Sequence, residues 1–298
     1  MEPSNYLPAG HSSSDHRFSD EDLVRHSLEG SRTSLEQLVQ RYRNVIYNLA
    51  FKMTSHQENA ADLTQEVLIK MITQLDSFRR ASSFKTWVYR IAVHQILNFR
   101  NAATRRRSTF QQFGNNLDGA PDADLPAGQQ YEADREVLYE ETKQTCMSGM
   151  LLCLDKKHRM AFLLGELFGI KDRAGSEIMN TTPENFRMLL SRAKKDLYNF
   201  MQDKCGLVNT SNPCRCAKKT KAFIDAGFVN PRSLRFAGRH LRYIEGVAAV
   251  RQEELEDLLE NEYRQLYLNH SFLEGPDFLK ALDELLASDK LTRIFHLK

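Results

Sequence analysis

The chain has 298 residues and a net charge of +2, with 41% hydrophobic and 27% charged side chains. This length suits two or three compact units, the composition excludes global disorder, and no apolar run nears the about 20 residues that cross a bilayer. All five cysteines fall between Cys146 and Cys216, an odd set that argues for reduced thiols or metal ligands and against an extracellular disulfide framework. Residues 1–20 are Ser- and His-rich without a basic head and apolar run, so they read as a disordered N-terminus and not as a secretory signal. The expected location is the cytoplasm, with no membrane partner.

The two signs of charge are segregated along the chain. Between Ser77 and Leu117 there are eight basic residues and no acid, a pattern that suits a polyanion. From Asp118 to Glu141 eight acids face the single Arg135, and with the Gly, Pro and Ala at its start this stretch reads as a flexible, solvated linker. Further basic clusters follow at Arg187, Arg192, Lys194 and Lys195, and at Arg215, Lys218, Lys219 and Lys221.

Taken in chain order, almost every periodic segment is helical, and the expected fold class is all-α. In 34–53 the residues Leu35, Leu38, Val39, Tyr42, Ile46, Leu49, Ala50 and Met53 share the three-four spacing of one buried face. Leu63, Val67, Met71 and Leu75 make a second stripe, and a third helix opens after Ser82 and Ser83. Beyond the acidic stretch, helices are expected at 142–154, 156–168 and 173–180. Thr182 as N-cap, Pro183 at the first helical position and Glu184 in the first turn then open a helix reaching about residue 201. A short helix, a tight turn and a long basic helix have the spacing of a helix-turn-helix. From Val247 onward the pattern is helical again, with an acidic run from Glu253 to Glu262, read as a solvated face.

Residues 34–107, with DLTQEV at 62–67, FRRASSFKTWVYRIAVHQILNFR at 78–100 and RRR at 105–107, resemble region 2 of an extracytoplasmic-function (ECF) sigma factor of bacterial RNA polymerase, and residues 150–203 resemble its region 4. The implied organisation is a disordered 1–20, sigma region 2 over 21–107, an acidic linker over 108–141, region 4 over 142–204, and a Cys-containing helical extension over 205–298. Where the family usually has Ile-Ala entering the first helix of the motif and Gly at its turn, this chain has Gly175-Ser176 and Asn180. Asn tolerates a left-handed turn, and Gly175 is expected to weaken the short helix.

Asp62, Gln65 and Glu66 place carboxylates and an amide on the outside of one helix, where they either stabilise their own helix dipole or meet a basic partner. The resemblance implies the second, with the clamp helices of the polymerase largest subunit as the partner. Phe78, Phe84, Trp87 and Tyr89 alternate with Arg79, Arg80, Lys85 and Arg90, a mixture suited to single-stranded nucleic acid because rings stack on bases and cations take phosphates. The resemblance implies promoter melting here, with the loop 76–83 holding an extruded base and His94, Gln95 and Asn98 at the upstream edge of the minus-ten element. Trp87 fits a core position equally well. In the helix after Pro183, Phe186, Leu189, Leu190, Ala193 and Leu197 face a core, and Arg187, Ser191, Arg192, Lys194 and Lys195 lie on the exposed side, as a helix reading the minus-thirty-five element in the major groove requires.

Cys205, Cys214 and Cys216 lie in CGLVNTSNPCRC, a spacing outside the common zinc ladders that supplies three ligands. They read as unligated structural thiols, as a site for zinc or another thiophilic metal with His158, His240 or Cys153 as fourth ligand, or as a redox-active set. No cofactor is required for the function the resemblance implies. That function is a dissociable promoter-specificity subunit, not an enzyme, whose partners are core polymerase through its clamp helices and flap, promoter DNA and, in part of the family, an anti-sigma factor. The rival reading is a one-component helix-turn-helix regulator with a metal- or ligand-sensing C-terminal part. It leaves residues 62–107 unexplained. A zinc-dependent nucleic-acid enzyme would need an H-E-x-x-H motif or an H-x-E followed by P-C-x-x-C; the chain has no H-E-x-x-H, and its one H-x-E, at 56–58, has no P-C-x-x-C after it.

Overall fold

The computed structural model describes residues 18–99, 108–126 and 134–236, together with Leu273, Gly275, Pro276 and Phe278. The expectations for residues 1–17, for the Arg105–Arg107 triplet, for His240 and for the helix and acidic run after Val247 lie outside the described residues. The described residues form ten α-helices and no named strand, and none of these helices is long and apolar enough to cross a membrane.

The first four helices are α1 (Asp20–Leu28), α2 (Arg32–Thr54), α3 (Gln57–Thr73) and α4 (Phe84–Asn98). Each starts on a side-chain cap: the hydroxyls of Ser19, Ser31 and Ser83 accept from Asp22, Ser34 and Thr86 N–H, and a ring nitrogen of His56 accepts from Asn59. Such caps satisfy donors that the helix itself leaves unpaired. The whole expected stripe of α2 is buried, and it packs on α3 and α1. Leu38, Leu49, Leu63, Met71 and Phe84 are fully enclosed between these helices. At about 1.5–3 kcal/mol for each large apolar side chain removed from water, this cluster holds the first module together. α2 ends at Ser55, whose φ of 54° turns the chain through a left-handed residue into α3.

The linker differs from the expectation. Residues 110–119 form α5 (Phe110–Gly119), opened by a reciprocal capping box in which Thr109 accepts from Gln112 N–H and Gln112 accepts from Thr109 N–H. Its Phe110 and Phe113 rings lie 5.2 and 5.8 Å from that of Phe200. A stripe of Phe110, Phe113 and Leu117 gives the segment an apolar face, and that face outweighs the polar composition that suggested solvation. α6 (Arg135–Cys153) also begins earlier than expected, and its Glu141 is only 1% exposed.

The second module comprises α6, α7 (Lys156–Phe162), a π-helical turn (Leu163–Leu167), α8 (Asp172–Ile178) and α9 (Pro183–Lys204). α9 starts as expected: the Thr182 hydroxyl accepts from Asn185 N–H, with Pro183 in the first turn. Asn180 adopts φ 50°, the left-handed turn between α8 and α9. Gly175 has a packing role. A Cβ there would stand 2.4 Å from the ring of Phe186, which is 1% exposed, so the missing side chain lets α8 and α9 close on that ring. After α9 a short knuckle leads to α10 (Cys216–Asp225), which packs along α6. Gly175→Ala is expected to destabilise the protein by about 1–3 kcal/mol through overpacking, seen as a lower urea midpoint at unchanged m-value.

Candidate nucleic-acid interface

Asp62, Gln65 and Glu66 are exposed on α3, on the side opposite the buried Leu63 and Val67. Their surface is continuous with α4, because Gln95 Nε2 donates to Glu66 Oε2 at 3.0 Å while Gln95 Oε1 accepts from Lys70 Nζ at 2.6 Å. Gln95, expected beside His94 and Asn98, thus serves to join the two helices. His94 and Asn98 remain exposed and lie 3.1 Å apart on the next turn.

The aromatic-basic stretch divides by burial. Phe84 is 0% and Tyr89 5% exposed, so neither ring is presented to a ligand, a correction to the stacking role expected of both. Their positions on the inner face of α4 make them core residues. Phe78 and Trp87 are half-buried over Phe84, with Trp87 stacked on that ring at 5.5 Å and 26°. Trp87 therefore takes the core reading while keeping an accessible edge. Arg79, Arg80 and Lys85 are exposed, and Arg80 has φ 56°, which turns the loop before α4 outward. Arg90 is exposed but paired with Glu177 of α8, and Tyr89 lies under Phe168 at 5.9 Å. No sequence pattern announces this contact between modules.

On α9 the expected polarity holds: Phe186, Leu189, Ala193 and Leu197 are buried, and Arg187, Ser191, Arg192 and Lys195 are exposed. The cations are not equivalent. Arg187 is engaged by Asp172 and by Glu184, and its hydrogen bond holds the Asp172 carboxyl below its ordinary value. Lys194 lies 3.4 Å from Glu166 of the π-helical turn. Arg192 and Lys195 have no ion pair among the described residues and project from the exposed face together with Ser191.

The cysteines come together differently than expected. Cys205 caps α9 and forms a parallel bridge with Cys214, and Cys216 is the first residue of α10. Asn209 Nδ2 and Asn212 Nδ2 donate to Gln202 O at 3.1 and 2.9 Å, so the knuckle satisfies a carbonyl at the end of α9, and Arg215 donates to Cys214 O and Thr210 O within the knuckle itself. A fourth thiol, that of Cys146, lies on α6, the helix along which α10 packs, whereas the expected Cys153 and His158 are engaged elsewhere. Cys153 donates to Gly149 O within its own helix and His158 lies by Asp155. Burial pushes the Cys146 thiol well up, and the thiols of Cys216, Cys205 and Cys214 add to the shift. Burial likewise pushes Cys216 up to about 12. All five cysteines are free, and among the described residues no three His, Cys, Asp or Glu side chains stand where they would hold a metal ion.

The family model for sigma-70 region 2 matches residues 38–106, which include α3, α4 and most of α2. The chain is 30% identical over 170 residues to the RNA polymerase sigma factor YlaC of Bacillus subtilis, covering 57% of this chain and 93% of that protein. It is 28% identical over 192 residues to the ECF RNA polymerase sigma-E factor of Haemophilus influenzae, covering 62% and 97%. A solved structure of CnrH in complex with the cytosolic domain of CnrY aligns at 17% identity with a TM-score of 0.44, covering 62% of this chain and 97% of that one. The chain belongs to the ECF sigma factors of RNA polymerase, a family of non-enzymatic transcription factors. It is a transcription initiation factor that directs the polymerase to promoters. A stand-alone helix-turn-helix regulator would lack the region 2 match. Arg192→Ala combined with Lys195→Ala is expected to weaken duplex binding and reduce the slope of log affinity against log salt by about 0.9 for each phosphate no longer neutralised, measured by fluorescence anisotropy at several salt concentrations. Arg187→Ala, which breaks two ion pairs inside the module, should also lower thermal stability.

Proposed function

We propose that the exposed face of α3 docks core polymerase and that α4 with its preceding loop and α9 carry the promoter contacts. The observation that carries this division is the separation of sign on exposed surfaces: Asp62 and Glu66 stand outward on α3, while Arg79, Arg80 and Lys85 precede or begin α4 and Arg192 and Lys195 line α9. A carboxylate patch suits a basic helical partner, which the clamp helices of the largest subunit provide. The flap is the second polymerase contact, on region 4, and an anti-sigma factor is a further proposed partner. In this scheme residues 21–107 and 142–204 are the functional modules, and Arg79, Arg80, Lys85, Trp87, His94, Asn98, Ser191, Arg192 and Lys195 approach DNA, joined by Arg90 when it is released from Glu177. Reversing charge at Asp62 and Glu66 should abolish co-elution with core polymerase while leaving far-UV helicity unchanged. Retained co-elution and run-off transcription would remove the docking role from α3.

The knuckle offers donors for a thiophilic cation such as zinc, and Cys146 joins Cys205, Cys214 and Cys216 as the proposed fourth ligand. Support comes from the bridge between Cys205 and Cys214 and from the packing of α10 on α6, which make the segments bearing these cysteines neighbours; the side chains themselves would have to reorient to ligate a cation. A bound cation would deprotonate thiols that burial keeps protonated. Reduced protein should then carry about one equivalent of metal, released by Cys146→Ser or Cys205→Ser and kept by Cys153→Ser. Protein purified without metal, and unable to take up added zinc, would leave these cysteines as structural thiols.

A further inference from the structure

The face of α4 that precedes and includes Arg90 is closed against the second module. Glu177 takes the Arg90 guanidinium, Phe168 covers Tyr89, and Lys156 Nζ reaches the Phe99 carbonyl at 2.7 Å just beyond α4. Two modules held together in this way cannot serve two promoter elements at once. Elements named for positions ten and thirty-five lie about two and a half helical turns apart, about 85 Å of duplex. The closed arrangement is therefore a free-state arrangement that must open on the promoter.

The chain beyond α9 bridges the same two modules. The Glu141 carboxylate, on α6, accepts from the N–H groups of both Arg235 and Phe236 at 2.8 Å, while the Phe236 ring lies 6.0 Å from that of Phe51 on α2. One residue thus touches both modules, and it is 3% exposed. Farther on, Asn48, 1% exposed in the middle of α2, pairs twice with Leu273: its Oδ1 accepts from Leu273 N–H and its Nδ2 donates to Leu273 O at 2.8 Å. Gly275 lies where a Cβ would meet the Tyr47 ring at 3.0 Å. The start of the extension also holds the linker, with Lys218 on Asp124, Lys219 on Asp122, and Ala123 N–H donating to Lys218 O.

We propose that the extension, residues 205–236 with Leu273, Gly275 and Phe278, is an intrachain latch that holds the two promoter-binding modules against each other and so covers part of the α4 face until polymerase and promoter draw them apart. This rests on the assignment of promoter contacts to α4 and α9. The charges fit it: Lys204 at the end of α9 and Lys218 and Lys219 of α10 are turned onto the linker acids Asp118, Asp124 and Asp122. Contacts of this kind are reversible because each is small, and polymerase binding at α3 leaves them untouched until the modules must separate.

The test uses the full chain with spin labels on unnatural residues at the exposed positions Glu58 of α3 and Asn199 of α9. Pulsed dipolar spectroscopy reads the distance between modules, and anisotropy reads affinity for a random-sequence single-stranded DNA oligonucleotide. Wild type should show one short, narrow distance. Phe236→Ala and Asn48→Ala should shift the distribution to longer separations and raise oligonucleotide affinity several-fold; Phe236 lies outside both modules, so its replacement keeps the test valid where Asn48→Ala fails to fold. A broad distance in wild type, or an unchanged one in Phe236→Ala, overturns the latch. Longer distances with unchanged oligonucleotide affinity overturn the covering of α4. Run-off transcription with core polymerase is measured in parallel: an inactive wild type would overturn the assignment of promoter contacts, a result separable from the distances.

Discussion

The guanidinium of Arg159 is the joint on which the two modules turn. It is 6% exposed at the start of α7, and it donates to the carbonyls of Leu152 and Leu154 at 2.9 Å and to that of Met53 in the last turn of α2. The two carbonyls on its own side close the corner between α6 and α7, and the third belongs to the other module. A buried charge costs several kcal/mol unless it is well hydrogen-bonded, and the negative end of α2 supplies part of the compensation. The corner that orients α7, the π-helical turn and hence α8 is thereby set relative to α2, and the meeting of Glu177 with Arg90 follows from it.

Charge is used locally throughout the chain. Several bases and acids that stand apart in sequence are folded onto one another, as Lys204, Lys218 and Lys219 are onto Asp118, Asp124 and Asp122. These exposed pairs each contribute little on their own. Their effect is to choose one register for the linker on α10, an arrangement that salt would weaken over a Debye length of about 8–10 Å.

Much of the fold was legible because it rests on local periodicity. The stripe of α2, the cap and proline of α9 and the left-handed Asn180 each follow from residues within a few positions of one another. α5 was missed, although Thr109 and Gln112 form a capping box, because the segment runs directly into the Gly-, Pro- and acid-rich stretch. Gly175 counted against its helix by propensity, and only the distant Phe186 ring explains it. The site was half legible. Outward residues such as Asp62, Glu66 and Arg192 could be placed by helical phase, whereas the burial of Phe84 and Tyr89 depends on which side of α4 meets the core. Cys146, Glu141 and Asn48 could not be found at all, because their partners lie 59 to 225 positions away and no spacing rule reaches so far.

Asn48 grips Leu273 by its peptide groups and not by its side chain. Recognition of this kind is blind to residue type, but the Leu273 side chain is also buried in the core, so position 273 is held by its packing as well as by its backbone. Gly275, pressed on Tyr47, leaves no room for a Cβ. The constraint on divergence at these positions is therefore one of shape as much as of chemistry, shared by an asparagine, a buried leucine and a glycine.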